Sequence, residues 1–240
     1  AGVAVLVVDG GRVDGTPAIA ITAGGEVRLA GTAGPALAVS SLRVDAAAGG
    51  FLDLGRQGIV VSAGGITRPA LLAGLAAGRA GGDWSGTVGI GSSAARAAMS
   101  QGLQRTVGWV EQGDGSLLIA YAAAGDTNLD GLVDILDVSD VLSAGQFGSG
   151  QPATWATGDF TFDGVVDILD VSDFVSTGLY DTGPYAPPAS ATVAAVPEPA
   201  PLVAAAAPAI AGTVKHVVMM TDAANMPQAR RCGRASGAAR

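Results

Sequence analysis

Oxygen-bearing side chains recur at alternate positions twice in this chain, at Asp126, Asn128 and Asp130 and again at Asp159, Thr161 and Asp163. Each run is followed by a glycine (Gly131, Gly164), and each closes with two acids three residues apart: Asp134 and Asp137, Asp167 and Asp170. Alternate residues of a curled loop can all point inward, and a hard divalent cation wants six to eight oxygens at about 2.3–2.6 Å. A loop drawing ligands from positions 1, 3, 5, 7, 9 and 12, with glycine at 6 for the sharp turn, meets that demand. The predicted first set is Asp126, Asn128, Asp130, the Leu132 carbonyl, Asp134 and Asp137. The second is Asp159, Thr161, Asp163, the Val165 carbonyl, Asp167 and Asp170. The chemistry expected of each loop is the binding of one Ca²⁺, two in all.

The two loops belong to an internal repeat. Residues 125–147 and 158–180 are offset by 33 and identical at 14 of 23 positions. Position 12 is Asp rather than the commoner Glu, so the closing carboxylate is one methylene shorter. Thr161 is a neutral ligand, and the second site is expected to bind more loosely than the first. Position 8 is apolar in both loops (Val133, Val166), which predicts that the loops pair with one another through a short strand contact. A short amphipathic helix is expected after each loop, with Ile135, Val138, Val141 and Leu142 on one face and Ile168, Val171, Phe174 and Val175 on the other copy's face.

Charge supports a cation from outside the chain. Net charge is −8, but residues 106–214 carry twelve Asp and two Glu with no Lys or Arg. Fourteen uncompensated negative charges oppose compaction. The same balance argues against nucleic acid as a partner, which needs a basic face.

The elements around the repeat read as follows. Residues 1–65 hold seven short apolar or alternating segments punctuated by glycine pairs, which predicts a Gly-rich all-β region, solenoid-like or a sandwich. Small side chains and an aromatic content of 5% favour flat stacked coils. Residues 66–120 read as a connector. It has a helix opened by Thr67, Arg68 and Pro69, a Gly- and Ala-rich stretch, and a hairpin turning at Gly113-Asp114-Gly115. Residues 121–186 form the loop–helix module. Residues 187–240 are a Pro/Ala linker and tail. The predicted fold is therefore mixed: an all-β N-terminal part and a small α module.

No set of residues points to catalysis. A single Cys232 and a single His216 exclude a disulfide framework and a multi-histidine metal centre. Cys232 beside Arg231 reads as a stray thiol. Asp9, Asp14, Glu26, Asp45 and Asp53 are read as acids of surface turns rather than a carboxylate pair for sugar hydrolysis. Trp84, Trp109 and Trp155 are expected to pack helix and hairpin rather than form a sugar platform.

The two GDxxxDGxVDxxD stretches resemble a dockerin module, a small calcium-dependent unit of extracellular proteins that attaches polysaccharide-degrading enzymes to cohesin partners. The resemblance covers residues 121–186. In that family the partner-reading positions 10 and 11 often carry hydroxyls, whereas this chain has Ile135-Leu136 and Ile168-Leu169. The resemblance implies either a cohesin-like partner at these pairs or packing against another part of the same protein.

Val196-Pro197-Glu198-Pro199 resembles the start of a PEP-CTERM sorting tail, which implies recognition there by an exosortase-type enzyme. The apolar stretch that follows, Ala200–Val214, is broken by Pro208 and falls short of the ~20 residues of a spanning helix. Together these features are similar to the large surface proteins of planctomycete-type bacteria. They imply a non-catalytic, secreted or cell-surface segment. The alternative is the attachment end of a polysaccharide-degrading enzyme with its catalytic domain upstream. Ala1 falls mid-pattern without Met or signal peptide, and the chain is read as a C-terminal fragment or a processed form.

Overall fold

The computed structural model describes residues 16–30 and 36–187, with the backbone of two further strands, Ala4–Asp9 and Val218–Thr221. The fold is mixed α/β, with three sheets and four α-helices among the described residues. In chain order the first strands are β1 (Ala4–Asp9), β2 (Ala18–Ile21), β3 (Glu26–Ala30), β4 (Leu37–Val39), β5 (Ser41–Val44), β6 (Phe51–Asp53) and β7 (Gly58–Val61). They pair in parallel with strands further along the chain: Ala18 lies opposite Ser41, Leu37 opposite Ile59 and Glu26 opposite Phe51. These offsets are 22 to 25 residues, and from β3 to β7 successive strands fall in the three sheets in a repeating order.

Stacking places like residues over like. Val27, Leu52 and, from β8 (Gly89–Gly91), Ile90 form one buried ladder, and Val39 and Val61 another. Short β-branched and Leu side chains suit such flat layers. Helix α1 (Arg68–Arg79) then intervenes, and the next parallel offset in this sheet is 38 residues, Phe51 to Gly89. Thr67 caps it by accepting the Ala70 amide. Its glycine face lies directly on β8, where a Cβ at Gly78 would overlap the Ile90 carbonyl.

Helix α2 (Ser93–Met99) occupies the Ala-rich patch, for which the sequence alone predicts no element. Ser92 starts it, its hydroxyl accepting the Ala95 amide at 2.9 Å. Asp53 also departs from expectation. It is buried, not in a surface turn, with its Oδ1 accepting the Gly55 and Ser93 amides and its Oδ2 3.2 Å from Arg28. The same Arg28 guanidinium also pairs with Glu26, so it sits between the two acids.

The hairpin forms as expected from β9 (Thr106–Glu111) and β10 (Leu117–Ala122), and β10 joins β7 antiparallel. From β10 the chain runs straight into the first loop. Helix α3 (Ile135–Ala144) and helix α4 (Ile168–Ser176) follow the two loops. A strand β11 (Val218–Thr221) pairs antiparallel with β1.

The core does not stop at the hairpin. Trp155 packs edge-on to Phe160 at 4.9 Å and stacks on Phe162 at 6.0 Å, and Trp84 meets Phe162 edge-on at 6.3 Å. Gly108 of β9 lies beneath Leu129 and Trp155, which fill the space a Cβ would need. All three tryptophans are buried, so they are core residues and present no sugar-binding face. Among the described residues no helix is long and apolar enough to cross a membrane.

Candidate metal centre

Each loop curls onto its first carboxylate. Asp126 accepts the Asp130 amide at 3.2 Å and the Gly131 amide at 3.0 Å, and Asp159 accepts the Gly164 amide at 3.0 Å. The turn requires the left-handed region at position 6, where Gly131 has φ +85° and Gly164 φ +90°. Position 4 is left-handed too, although it is not glycine: Leu129 has φ +61° and Phe162 φ +63°. That strain costs roughly 1–2 kcal/mol per residue. Burial of both side chains in the Trp155 cluster offsets it.

The closing acids also start the helices. Asp134 and Asp167 are N-caps, their Oδ1 atoms accepting the Leu136 and Leu169 amides at 2.7 Å. Asp137 and Asp170 complete capping boxes through Oδ2, accepting the Asp134 amide at 2.9 Å and the Asp167 amide at 2.8 Å. Their Oδ1 atoms reach across the loop to the amides of Thr127 (2.9 Å) and of Phe160 and Thr161 (2.8 and 3.0 Å). Both ends of each loop are thereby drawn together.

The loops do not pair through position 8, as their apolar character suggested. The Val133 carbonyl accepts the Asp181 amide at 2.9 Å, and the Val166 carbonyl accepts the Gly148 amide at 2.9 Å. Gly148 and Asp181 are equivalent residues 33 apart, each just past its helix. Each loop is therefore braced by the chain leaving the other copy's helix. The helices exchange in the same way, Val141 of α3 packing over Gly158 and Phe174 of α4 over Gly125.

The expected helix faces need correcting accordingly. The residues buried within α3 and α4 are Asp137 and Asp170. Ile135, Leu142, Ile168, Val171 and Val175 are exposed, while Val138, Val141 and Phe174 are half-buried. Capping turns each first helical turn towards its own loop, so only the residues that reach the opposite copy are covered.

Burial dominates the electrostatics. It pushes the Asp126 carboxyl up to about 7, reinforced by the charges of Asp137 and Asp130 and opposed by hydrogen bonds from Tyr185 and Gly131. Burial, with the Asp170 charge, raises Asp159 to about 6. Asp137 and Asp170 are raised as well, again chiefly by burial. Arg79 of α1 meets one acid of the module, Asp173, at 2.8 Å, and the loop carboxylates lie without a basic side chain in contact among the described residues.

Compared with known proteins, the chain finds no match among family models, curated proteins or solved structures. Among the described residues no three His, Cys, Asp or Glu side chains converge closely enough to hold an ion by themselves. In this donor set, two of the six positions of each loop are neutral, a side chain at position 3 and a main-chain carbonyl at position 7. The remaining acids partly satisfy their own backbone amides.

The second loop offers a direct test of fit. Asp159 Oδ1 and Thr161 Oγ1, at positions 1 and 3, are buried without a hydrogen bond of good geometry, the Thr161 hydroxyl lying close enough to Asp170 only to oppose the rise of that carboxyl. Under-satisfied buried oxygens at two ligand positions fit a cation-binding donor set.

Two contributors were missed in the sequence. The Trp155 indole donates to the Asp126 carbonyl at 2.7 Å, and the Tyr185 hydroxyl donates to Asp126 Oδ2 at 2.6 Å. Tyr185 falls in a Gly/Pro string at the very end of the expected module, with no role assigned to it. An aromatic among Gly183, Pro184 and Pro187 was the available signal. His216, Cys232, Val196–Pro199 and the apolar stretch to Val214 lie outside the described residues.

Proposed function

We propose that the chain is a non-catalytic segment of a secreted or cell-surface bacterial protein, in which a stacked-strand stalk leads into a calcium-folded docking module of the dockerin type. The observation carrying this reading is the pair of buried, under-satisfied oxygens on Asp159 and Thr161, within a loop whose first loop is its near copy.

Asp126, Asn128, Asp130, Asp134 and Asp137 with the Leu132 carbonyl would hold one Ca²⁺. Asp159, Thr161, Asp163, Asp167 and Asp170 with the Val165 carbonyl would hold the other. Bound calcium supplies positive charge that lets the buried carboxylates ionise, so binding free energy becomes folding free energy. The chain's own residues do the rest. The two glycines turn the loops, the capping acids tie each loop to its helix, and the exchanged segments at Gly148 and Asp181 hold the two loops together.

The docking face is formed by Ile135, Leu136, Ile168 and Leu169. They are 57–66% exposed at equivalent places in the two copies, and no described residue covers them. Repeated exposed apolar pairs on a soluble surface suit an apolar, cohesin-like partner. The solenoid reading of the first part is supported by parallel partners one circuit of 22–25 residues apart. The Val196–Pro199 motif completes the proposal as the sorting-enzyme signal.

Calorimetric titration of the whole chain tests the function. Two calcium-binding events with Kd of about 10⁻⁴–10⁻³ M are expected. Absence of heat, together with a melting temperature that calcium leaves unchanged, would refute it.

A further inference from the structure

The two loops differ in one respect that their sequences do not announce. Asp126 is fully engaged, with Oδ1 on the Asp130 amide and Oδ2 on the Gly131 amide and the Tyr185 hydroxyl. Its counterpart Asp159 keeps Oδ1 bare. The Oδ1 difference arises within the loops, from the Asp130 amide, whereas the extra bond to Oδ2 comes from a strap, residues 181–186, that leaves α4 and returns across the first loop. The Asp181 amide donates to the Val133 carbonyl and the Tyr185 amide to the Gly131 carbonyl, each at 2.9 Å. The Tyr185 hydroxyl sits at the junction, donating to Asp126 while accepting the Ala123 amide at 2.9 Å. Arg105 lies 5.2 Å from the centre of its ring and holds it from the hairpin side. The second loop has the equivalent strap, residues 148–153, whose Gly148 amide donates to the Val166 carbonyl, but it has no equivalent hydroxyl. The residue 33 positions before Tyr185 is Pro152, which carries neither a hydroxyl nor an amide hydrogen. The Gly164 carbonyl is met instead by the Ala153 amide at 2.8 Å.

We infer that Tyr185 is a positioning residue for the first cation loop: its hydroxyl orients Asp126, sets the affinity of that loop alone, and couples cation binding to closure of the strap. This rests on the calcium reading of the loops. A hydrogen bond to a ligating carboxylate fixes the direction of its remaining lone pairs, and loss of such a partner typically costs about 10–100-fold in metal affinity. Because coupling is reciprocal, a cation held by Asp126 also tightens the strap.

The test is a calcium titration of the ¹⁵N-labelled full chain, reading the Gly131 and Gly164 amides separately, with and without Tyr185→Phe. The substitution keeps the ring beneath Arg105 and removes only the hydroxyl. The titration midpoint at Gly131 should rise by about tenfold or more, while that at Gly164 stays where it was. A merely structural clasp would move both midpoints together; that result, or no change at either, overturns the assignment. Two glycine amides insensitive to calcium in the unaltered protein overturn the calcium reading, and this inference with it. Hydrogen exchange in the unaltered protein gives an independent readout that needs no variant. Calcium should slow exchange of the Tyr185 amide, and an unchanged rate overturns the coupling.

Discussion

Cation-free protein should become less stable as pH rises, and calcium should reverse that sign. Burial holds Asp126 at about 7 and Asp159 at about 6, against an ordinary value of 3.8. A carboxyl whose folded value is raised keeps the native state richer in protons than the unfolded one across this window, so stability falls with increasing pH. The penalty is absent below pH 3.8 and complete above about pH 7. At 1.36 kcal/mol per pH unit it amounts to about 4 kcal/mol for Asp126, and to clearly less for Asp159, whose smaller shift is further screened by solvent. The first figure alone is large against the 5–15 kcal/mol that holds a typical domain together.

With calcium bound the carboxylates are held as anions and protons compete for them, so stability should fall as pH drops. Urea unfolding followed by fluorescence of the buried Trp84, Trp109 and Trp155 reads the effect directly. Protein stripped of divalent ions on a chelating resin should unfold at lower urea at pH 8 than at pH 5, by about 1–2 M. In excess calcium the order should invert. A stripped protein equally stable or more stable at pH 8 would refute the burial argument.

Other substitutions probe the turn and the joint. Gly131→Ala and Gly164→Ala impose the same left-handed strain, about 1 kcal/mol each. A Cβ at residue 131, however, would also overlap the Ala186 carbonyl, whereas nothing lies within 4 Å at residue 164. Thermal melts in calcium should show the first variant losing clearly more stability than the second. Gly108→Ala places a methyl 2.6 Å from Leu129 and 2.7 Å from Trp155, and overpacking of this kind costs about 1–3 kcal/mol. It should weaken calcium binding as well as lower the melting temperature, and normal calcium affinity in that variant would show that the hairpin does not support the loops.

What could be read in the sequence was what local chemistry dictates. The alternating oxygens, the glycine at position 6 and the closing acids all lie within twelve residues, and the structure forms both loops and both helices there, although that Asp134 and Asp167 also cap the helices was not read. The seven N-terminal strands were legible because glycine pairs bound short apolar runs. Helix α2 was not, since seven Ala-rich residues show too little periodicity and only Ser92 marks its start. Tyr185 could not be assigned because its partner Asp126 lies 59 residues away. The helix faces were misjudged for a related reason. Periodicity shows which side is apolar, but not that Asp137 and Asp170 would take the buried places.

The exchange of segments between the copies has a consequence for smaller versions of this unit. A chain carrying one copy would leave its valine carbonyl and its loop glycine without the residues that now cover them. It could recover both only from another molecule, by forming a two-fold dimer in which each half lends its exit segment to its twin. Tandem duplication converts that concentration-dependent assembly into a single-chain fold, and it frees the second copy to diverge only where its twin is not relying on it.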